Sequence, residues 1–292
     1  RTPDEKMILG NFKMMQFAWE NRNKNLSIEL ILELHQIGVE GIDDDVYTPG
    51  ILRNSDDVEV VDAEGNTVHK PPPAEGLTKR LKGLAIWANE CHHDIDNNEY
   101  LHPLLKAMTL HFSIGYEHPF RDGNGRVARS LFYWYMFKND FAAFRYIAIS
   151  LLLKAAPVQY GKSYLYSETD NMDLTYFLDY QSSIVLRAIN EFKNSYQRTL
   201  KEAEEFNKWL WESGLYRKLN EKQKTVFQVA KSRVALSFTA VNVKENLGCS
   251  YNTASSVLNG LVDLKLFKKK KSGREWVFTM LSQDKTLESW KS

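Results

Sequence analysis

The sequence has few of the features that mark disulfide-rich, membrane-spanning or broadly charged proteins. It contains only two cysteines, Cys91 and Cys249, which argues against a disulfide framework and favours a reducing cytoplasm. It has no apolar stretch of about 18 residues or more, so no membrane-spanning helix is expected. The net charge is +1, so any affinity for nucleic acid has to come from a local patch. The phosphate-binding pattern GxxxxGK[ST] is also absent.

The composition that remains is that of an ordinary globular protein. Hydrophobic residues make up 43% of the sequence and charged residues 26%, and 292 residues are enough for two domains. The sequence begins at Arg1 rather than at a methionine and shows no signal-peptide pattern. We therefore expect a fragment or a processed form, with further sequence upstream.

Hydrophobic periodicity predicts a mainly α-helical first domain, residues 1–212, with a single small hairpin. The hairpin is expected at residues 58–69, where VEVVDAEGNTVH has a turn at Glu64-Gly65-Asn66. A long helix is expected from Asp173 to about Trp211, as one helix or two, ended by Gly214. Four further segments have apolar residues at helical spacing, the first with Ser27 as an N-cap: residues 4–41, 77–90, 103–117 and 125–138.

The segment HPFRDGNGRVAR, residues 118–129, interrupts this helical pattern. Pro119 cannot continue a helix, so the preceding helix should stop near His118 and leave its imidazole at the mouth of a loop. Gly123, Asn124 and Gly125 adopt positive φ at low cost and can turn main-chain N–H groups towards one point. A helix starts directly afterwards, and its free N–H groups favour an anion at the same place.

The charged residues of this segment agree with a phosphate-binding loop. Arg126 and Arg129 are three positions apart and share a helix face, where an anion would offset their conflict with the helix dipole. Asp122 alone would repel phosphate, but a Mg²⁺ ion bridging this carboxylate and phosphate oxygens removes the conflict. His118, which titrates near neutral pH, could act as a base on an incoming hydroxyl. The alternative is a plain DGNG turn with arginines that pair locally.

This segment resembles the signature HPFx[D/E]GN[G/K]RxxR of the Fic (filamentation-induced-by-cAMP) family, with every position filled. The resemblance extends over roughly residues 1–210. It implies a helical bundle that transfers a nucleotide monophosphate, usually AMP from ATP, to a protein hydroxyl. By this resemblance His118 is the general base, Asp122 holds Mg²⁺, and loop 118–126 is catalytic. It further implies that Gly123, Asn124 and Gly125 form the anion hole and that Arg126 and Arg129 hold the β- and γ-phosphates, while Phe120 anchors the loop.

The same resemblance assigns roles to three other segments. Hairpin 58–69 resembles the family's flap, along which an extended part of the target protein pairs; the alternative is a plain surface hairpin. The adenine pocket is expected near YGKSYLYSETDNMDLTYF with Tyr164; the alternative is that the aromatic residues there belong to the core. The family's inhibitory pattern [S/T]xxxE[G/N] does not occur in this sequence. DEKMILGNFKMM resembles the helix that follows an N-terminal inhibitory helix, so we expect that regulator upstream of Arg1.

Residues 215–292 are predicted to form a winged helix-turn-helix domain. The order is helix, helix, a turn at Gly248-Cys249-Ser250, a further helix and a hairpin with its tip at Ser272-Gly273. A DNA-binding surface would combine the start of the last helix with the basic hairpin, through Ser250, Tyr251, Asn252, Lys268, Lys269, Lys270, Lys271 and Arg274. The alternatives are a protein-docking module and a lysine run that is simply solvated.

Three functions remain open from the sequence. The first is Mg²⁺-dependent transfer of AMP from ATP to a protein. The second is another reaction in the same site, such as transfer of a different nucleotide or a phosphoryl group, or removal of AMP. The third is a DNA-binding regulator whose first domain only senses a ligand. A cytoplasmic protein with no membrane partner is expected in each case, and the oligomeric state stays open.

Overall fold

The structure is a computed structural model that describes residues 3–41, 48–61, 64–92, 94, 96, 99–273 and 275–291. The chain divides into two compact units, Arg1–Asn194 and Ser195–Ser292. The division predicted from the sequence, at residues 212–215, stays a prediction. No helix in the described ranges is both long enough and apolar enough to cross a membrane.

The first unit is mainly helical. Its two short strands are β1 (Val60–Val61) and β2 (Thr67–His69), and a 3₁₀ turn covers Ala142–Tyr146. Its helices are α1 (Pro3–Glu20), α2 (Ile28–Val39), α3 (Leu77–Asn89), α4 (Pro103–Glu117), α5 (Asn124–Lys138), α6 (Ile149–Ala155), α7 (Pro157–Thr169) and α8 (Thr175–Glu212), the last of which runs on into the second unit.

Helix α5 lies at the centre of the first unit and packs against α1, α2 and α4. All its residues from Val127 to Phe137, except Arg129, are buried. Trp134 is fully buried, and its Nε1 donates a hydrogen bond of 3.0 Å to the carbonyl of Asn21. Burial on every side explains why the sequence of α5 has a weak polar face: a helix surrounded by others needs no solvent-facing stripe.

Helices α1 and α2 approach closely because two glycines face each other. A Cβ atom on Gly10 would lie 2.8 Å from the carbonyl oxygen of Gly38, which is closer than carbon and oxygen can come without a shift of the backbone. Helix α2 begins after Ser27, whose side-chain oxygen accepts the N–H of Leu30, as the sequence predicts. This packing places the end of α2 beside the start of α5.

Strands β1 and β2 form an isolated antiparallel pair in which Val60 faces His69 and Val61 faces Thr67. They lie within the segment 58–69 that the sequence predicts as a hairpin, although Asp62 and Ala63 are outside the described residues. The docking role of a flap stays a prediction.

The second unit contains a compact arrangement of short helices and one hairpin. Its buried core includes Phe227, Leu258, Phe267 and Phe278. After α8 come α9 (Leu215–Lys218), α10 (Glu221–Lys231), α11 (Ala240–Leu247), α12 (Tyr251–Asp263), β3 (Phe267–Ser272), β4 (Glu275–Met280) and α13 (Gln283–Lys291). The order from α10 to β4 is the one expected of a winged helix-turn-helix, an interpretation that remains a prediction, whereas α9 and α13 are not predicted from the sequence.

Candidate active site

The candidate base, His118, stands at the end of a helix. Helix α4 ends at Glu117, and His118 adopts a left-handed conformation with φ 44° and ψ 59° directly before Pro119. Its Nδ1 lies 3.2 Å from the carbonyl oxygen of Gly115, which can only accept a hydrogen bond. Nδ1 therefore carries the proton, and Nε2 is left with a free lone pair. Burial, with smaller contributions from the nearby cations His69 and Arg53, lowers the pKa of His118 and favours the neutral ring.

The loop after His118 is closed by a side-chain clamp. The amide of Asn124 accepts the N–H of Phe120 at 2.9 Å and donates to the carbonyl of Phe120 at 2.8 Å. Both residues are buried, and the ring of Phe120 stacks on His35 with ring centres 3.7 Å apart. The side chain of Asn124 is thus committed to the loop, and only its main-chain N–H can face an anion. Phe120 lies in the core, where the sequence argument placed it.

His35 of α2 supports the other side of this loop and was not singled out from the sequence. Its Nδ1 accepts the N–H of Gly50 at 3.0 Å, so its Nε2 carries the proton that it donates to the carbonyl of Asp122, also at 3.0 Å. Burial lowers the pKa of His35 to about 4 and keeps it neutral. A single histidine beside the apolar face of a helix gives no sign of such a role, because its partners come from distant segments.

The start of α5 is closely surrounded by side chains, and glycines at positions 123 and 125 leave room for them. Gly123 has φ 81°, and a Cβ atom there would lie 3.2 Å from the side chains of His35 and Val39. The N–H of Gly123 is taken by the side-chain carboxylate of Asp122. The N–H groups of Asn124 and Gly125 belong to the first helical turn, where amides have no partner within the helix. These amides form a partial positive charge at the helix start.

The two motif arginines differ in their surroundings. Arg126 donates a hydrogen bond of 2.7 Å from Nη1 to the carbonyl of Gly38. Arg129 is half-buried, and its guanidinium makes no hydrogen bond or ion pair with any described residue. Burial lowers the pKa of Arg129, although not enough to discharge an arginine. Its Nη1 lies 3.1 Å from where a Cβ of Gly125 would be, so this guanidinium lies beside the helix start and its main-chain amides.

Arg53, also missed from the sequence, holds the backbone under His118. Its guanidinium is almost fully buried and donates to the carbonyls of Glu117 and His118 at 3.3 and 2.9 Å, and to that of Pro72. Its own N–H donates to the carbonyl of Pro119 at 2.9 Å. The last carbonyls of a helix have no partner within it, so this arginine caps the end of α4 from a segment more than 60 positions away. No local pattern could reveal the contact.

Tyr164, the candidate for an adenine pocket, is engaged in packing. Its ring stacks on Phe112 with centres 4.8 Å apart, and its hydroxyl lies 3.4 Å from the carbonyl of His111. A Cβ at Gly115 would be only 2.2 Å from the Tyr164 hydroxyl oxygen, so the close approach needs a glycine. These contacts favour the core alternative for this tyrosine.

Asp122 is the candidate for holding a metal ion. Its side chain is exposed, and one carboxylate oxygen accepts the N–H of Gly123, which leaves the other open. Within the described part of the chain, no three histidine, cysteine, aspartate or glutamate residues are grouped closely enough for a metal site made by protein alone. Mg²⁺ is commonly held by one or two carboxylates together with substrate phosphates, so one carboxylate beside an anion cradle fits this ion.

In the second unit, the residues predicted to bind DNA lie on the surface, except that Arg274 is outside the described residues. The hydroxyl of Ser250 accepts the N–H of Thr253 and caps α12, so it is partly committed to structure. Tyr251 and Asn252 are exposed at the start of the same helix. The lysines at 268–271 are exposed along β3, and Lys269 donates to the side chain of Asn259 at 2.9 Å.

The site combines a histidine whose pKa is lowered by burial, a helix start lined with amides and a half-buried arginine with no hydrogen bond or ion pair to a described residue. These groups have the chemistry of a site for an anionic ligand beside a base. Comparison with known proteins agrees with this class. Residues 25–136, which contain the loop and most of α5, match the model of the Fic/DOC family.

Two curated relatives and one solved structure add to this match. A segment of 63 residues is 40% identical to Protein adenylyltransferase Fic of Nematostella vectensis, covering 22% of this chain and 14% of that protein. A segment of 120 residues is 28% identical to Protein adenylyltransferase fic-1 of Caenorhabditis elegans, covering 40% of this chain and 20% of that protein. The matches thus span only a fifth or less of these relatives.

The crystal structure of a Fic family protein from Desulfovibrio desulfuricans G20 has a TM-score of 0.52 to this chain at 16% identity. The match covers 93% of this chain and 74% of the Desulfovibrio chain. At this identity it supports a shared fold and nothing more. The segment that matches the Fic/DOC model lies within the first unit, and the relatives found by sequence are named protein adenylyltransferases.

Proposed function

We propose that the protein transfers AMP from ATP to a hydroxyl side chain of a target protein. The observation that carries the proposal is Arg129, a half-buried guanidinium without a hydrogen bond or ion pair to any described residue, over the start of α5. A buried charge without a partner is costly, so such a cation is usually retained because a ligand pairs with it. The similarity to proteins named protein adenylyltransferase makes a triphosphate the best candidate ligand.

His118 is the base in this proposal. Its Nε2 takes the proton from the target hydroxyl, and the freed oxygen forms a bond to the α-phosphorus of ATP. The bond from that phosphorus to the oxygen bridging the β-phosphate breaks, and pyrophosphate leaves. The contact between Nδ1 and the Gly115 carbonyl supports this role, because it fixes the tautomer in which Nε2 is the acceptor.

The start of α5 binds the phosphates in this proposal. Main-chain N–H groups of Gly123, Asn124 and Gly125 were predicted to form the anion hole, although that of Gly123 would first have to release the Asp122 carboxylate. Arg126 and Arg129 would hold the β- and γ-phosphates through charge-assisted hydrogen bonds. The side chain of Asn124 contributes indirectly, because it keeps the loop closed through Phe120.

Mg²⁺ fits the open carboxylate oxygen of Asp122. When bound, it would neutralise charge on the phosphates and on the leaving pyrophosphate. Release of the Gly123 N–H by this carboxylate would at the same time free an amide for phosphate.

The hairpin of β1 and β2 is the proposed docking site for the target protein. The two strands pair only with each other among the described residues, so main-chain groups on their outer edges are open. Val61 and Val68 are exposed on it, which suits an extended segment that adds a strand. Main-chain pairing would align the target hydroxyl by register rather than by a side-chain pocket.

Incubation with Mg²⁺ and ATP labelled at the α-phosphate tests the transfer. We expect label in protein, with a loss of at least about 100-fold in His118→Ala, the lower end of the usual effect of a general base. The same incubation with γ-labelled ATP should leave the protein unlabelled. Retention of γ-label would show phosphoryl transfer, and release of AMP from a prelabelled protein would show removal instead. Label that is independent of His118 would refute the proposed base.

DNA binding by the second unit is a separate candidate function. It is supported by four exposed lysines in a row on β3, at positions 268–271, near a helix start with exposed Tyr251 and Asn252. A gel shift with duplex DNA should weaken steeply with salt, and replacing Lys268, Lys270 and Lys271 by alanine should lower the salt slope by about three. An unaltered slope would exclude these lysines as phosphate contacts.

A further inference from the structure

The carbonyl groups at the end of α4 are capped by three different side chains. His118 itself bonds the carbonyl of Gly115, and Arg53 bonds those of Glu117 and His118. Tyr116 lies between Gly115 and Glu117 in the sequence, and its carbonyl oxygen is 2.8 Å from Nε2 of His69 in strand β2. The candidate base therefore follows a helix end that is fixed partly by the hairpin.

His69 is also bonded on its other side. Its Nδ1 lies 2.9 Å from Oε2 of Glu168 in α7, and both side chains are largely buried. A carbonyl oxygen and a carboxylate are both acceptors, so both ring nitrogens have to donate. His69 is held as an imidazolium between a carboxylate and the negative end of a helix.

The balance of charges around His69 agrees with this assignment. Burial works against the charged ring, but the bonds to Glu168 and to the Tyr116 carbonyl outweigh it, and the pKa of His69 is raised. Arg53, from the segment before β1, is the opposing cation. The charge on His69 in turn helps to lower the pKa of His118.

We infer that His69 is a positioning residue: paired with Glu168, it fixes the hairpin of β1 and β2, the proposed docking site, to the end of α4 beside His118. The consequence for catalysis rests on the proposed function. The fixing of the hairpin does not rest on it, because β1 and β2 form an isolated pair. Two hydrogen bonds of His69 and its ring contact with Tyr116 connect this pair to α4 and α7. A two-stranded hairpin alone is marginally stable in water, so its position has to come from such contacts.

Two variants separate geometry from charge. His69→Ala removes both hydrogen bonds and the charge. Glu168→Gln keeps both bonds, since the amide nitrogen can donate to a neutral Nδ1 while Nε2 still donates to Tyr116. The second carboxylate oxygen of Glu168 is buried and has no hydrogen-bond partner among the described residues, so the glutamine carbonyl can take its place without a new conflict. Lys70→Ala is the matched control, because it removes an exposed cation next to His69 that makes no hydrogen bond or ion pair with a described residue.

Hydrogen exchange and ring-nitrogen resonances test the fixing directly. We expect amide exchange in residues 58–69 to rise about tenfold or more in His69→Ala and to stay near the wild-type rate in Glu168→Gln and Lys70→Ala. In the wild-type protein at neutral pH, nitrogen NMR should show both ring nitrogens of His69 protonated. Unchanged exchange in His69→Ala, or a singly protonated ring, would overturn the inference.

Kinetics test the consequence for catalysis. With α-labelled ATP and a tagged His118→Ala copy as acceptor, His69→Ala should raise the acceptor KM about tenfold and leave ATP affinity within about twofold of wild type. Glu168→Gln should leave that KM unchanged. It should move the acidic limb of the pH profile of kcat to higher pH, because a neutral His69 no longer lowers the pKa of His118.

The two proposals can fail separately. If the wild-type protein transfers no label to any acceptor, the proposed function fails, while exchange and NMR still decide whether His69 fixes the hairpin. If transfer proceeds and His69→Ala changes neither KM nor the pH profile, the positioning role fails and the proposed function stands. A fall in ATP affinity in His69→Ala would instead point to damage beyond the hairpin and refute the separation of the two sites.

Discussion

Replacing Arg129 by methionine should weaken nucleotide binding and, at the same time, make the nucleotide-free protein more stable. Methionine has a similar length and no charge. Because the guanidinium has no hydrogen bond or ion pair to a described residue, its removal costs no protein contact of that kind and relieves the desolvation of a half-buried cation. A gain of about 1 kcal/mol in the free energy of unfolding is expected, as for other sites that give up stability for function.

The effect of nucleotide should have the opposite sign. One charge-assisted hydrogen bond to phosphate contributes about 2 kcal/mol, so Arg129→Met should raise the Kd for Mg-ATP about 30-fold. At an ATP concentration 100 times the wild-type Kd, the wild-type protein gains about 2.7 kcal/mol of stability. The variant, with Kd raised 30-fold, gains only about 0.9 kcal/mol under the same conditions. The order of stabilities should therefore reverse on addition of nucleotide.

Thermal or urea unfolding with and without a non-hydrolysable ATP analogue and Mg²⁺ measures both effects. Arg121→Met is the matched control. This arginine of the same loop is more exposed than Arg129 and bonds Asp57 at 3.1 Å, so its replacement should not change the gain in unfolding free energy that nucleotide causes. A nucleotide-free Arg129→Met protein that is less stable by more than about 1 kcal/mol would show that the arginine supports the fold. An equal nucleotide shift in variant and wild type would refute the anion site.

Three further predictions concern the support of the site. Gly115→Ala should cost about 1–3 kcal/mol of unfolding free energy, since its Cβ would meet both the hydroxyl oxygen and ring carbons of Tyr164 at less than 3.0 Å; a smaller cost of the same change in a Tyr164→Ala background would confirm the cause. Arg53→Met should cost about 3–5 kcal/mol in urea unfolding, because buried carbonyls lose their donor; a cost below about 1 kcal/mol would contradict the capping role. The pKa values of His35 and His111, lowered by burial to about 4 and about 3, lie below the ordinary value of 6.5. The unfolded chain therefore binds more protons below pH 6.5, and stability should fall by about 2 kcal/mol per histidine between pH 6.5 and pH 5. His35→Gln should keep only the contribution of His111 and so lose about half as much stability over this pH range as the wild-type protein. A loss as large as in the wild-type protein would contradict the lowered pKa of His35.

The sequence predicts well what is encoded locally. Ser27 before an apolar stripe predicts the start of α2, and Pro103 with Pro119 predicts both limits of α4. The predicted start of α5 is one residue later than observed, because Asn124 already has helical geometry after Gly123. In α2 and α4 a capping side chain or a proline ring decides the backbone within a few residues, so the signal and its cause lie in the same stretch of chain.

The parts that the sequence does not predict are contacts between distant segments. The segment from 142 to 169 folds into a 3₁₀ turn and helices α6 and α7, which bring Tyr160 and Tyr164 against α4 and Glu168 against His69 of β2. The pairing of His69 with Glu168 spans 99 positions, and no spacing rule connects two such residues. Polar residues of this kind look like surface residues in a linear pattern, and only the packing around them makes their hydrogen bonds obligatory.

The division between predictable and unpredictable residues follows the chemistry of the site. Groups that would contact a phosphate lie around one helix start, because the free amides, the helix dipole and the side chains of the first turn are directed to the same place there. These groups are therefore close together in the sequence, within twelve residues. The groups that fix the candidate base have a different task, which is to satisfy the carbonyls at the end of α4. A helix end can be capped from any direction, so Arg53 and His69 come from separate segments and converge only in three dimensions. A search of sequence motifs will therefore find the candidate chemistry of this fold and miss the residues that hold the helix end before its candidate base.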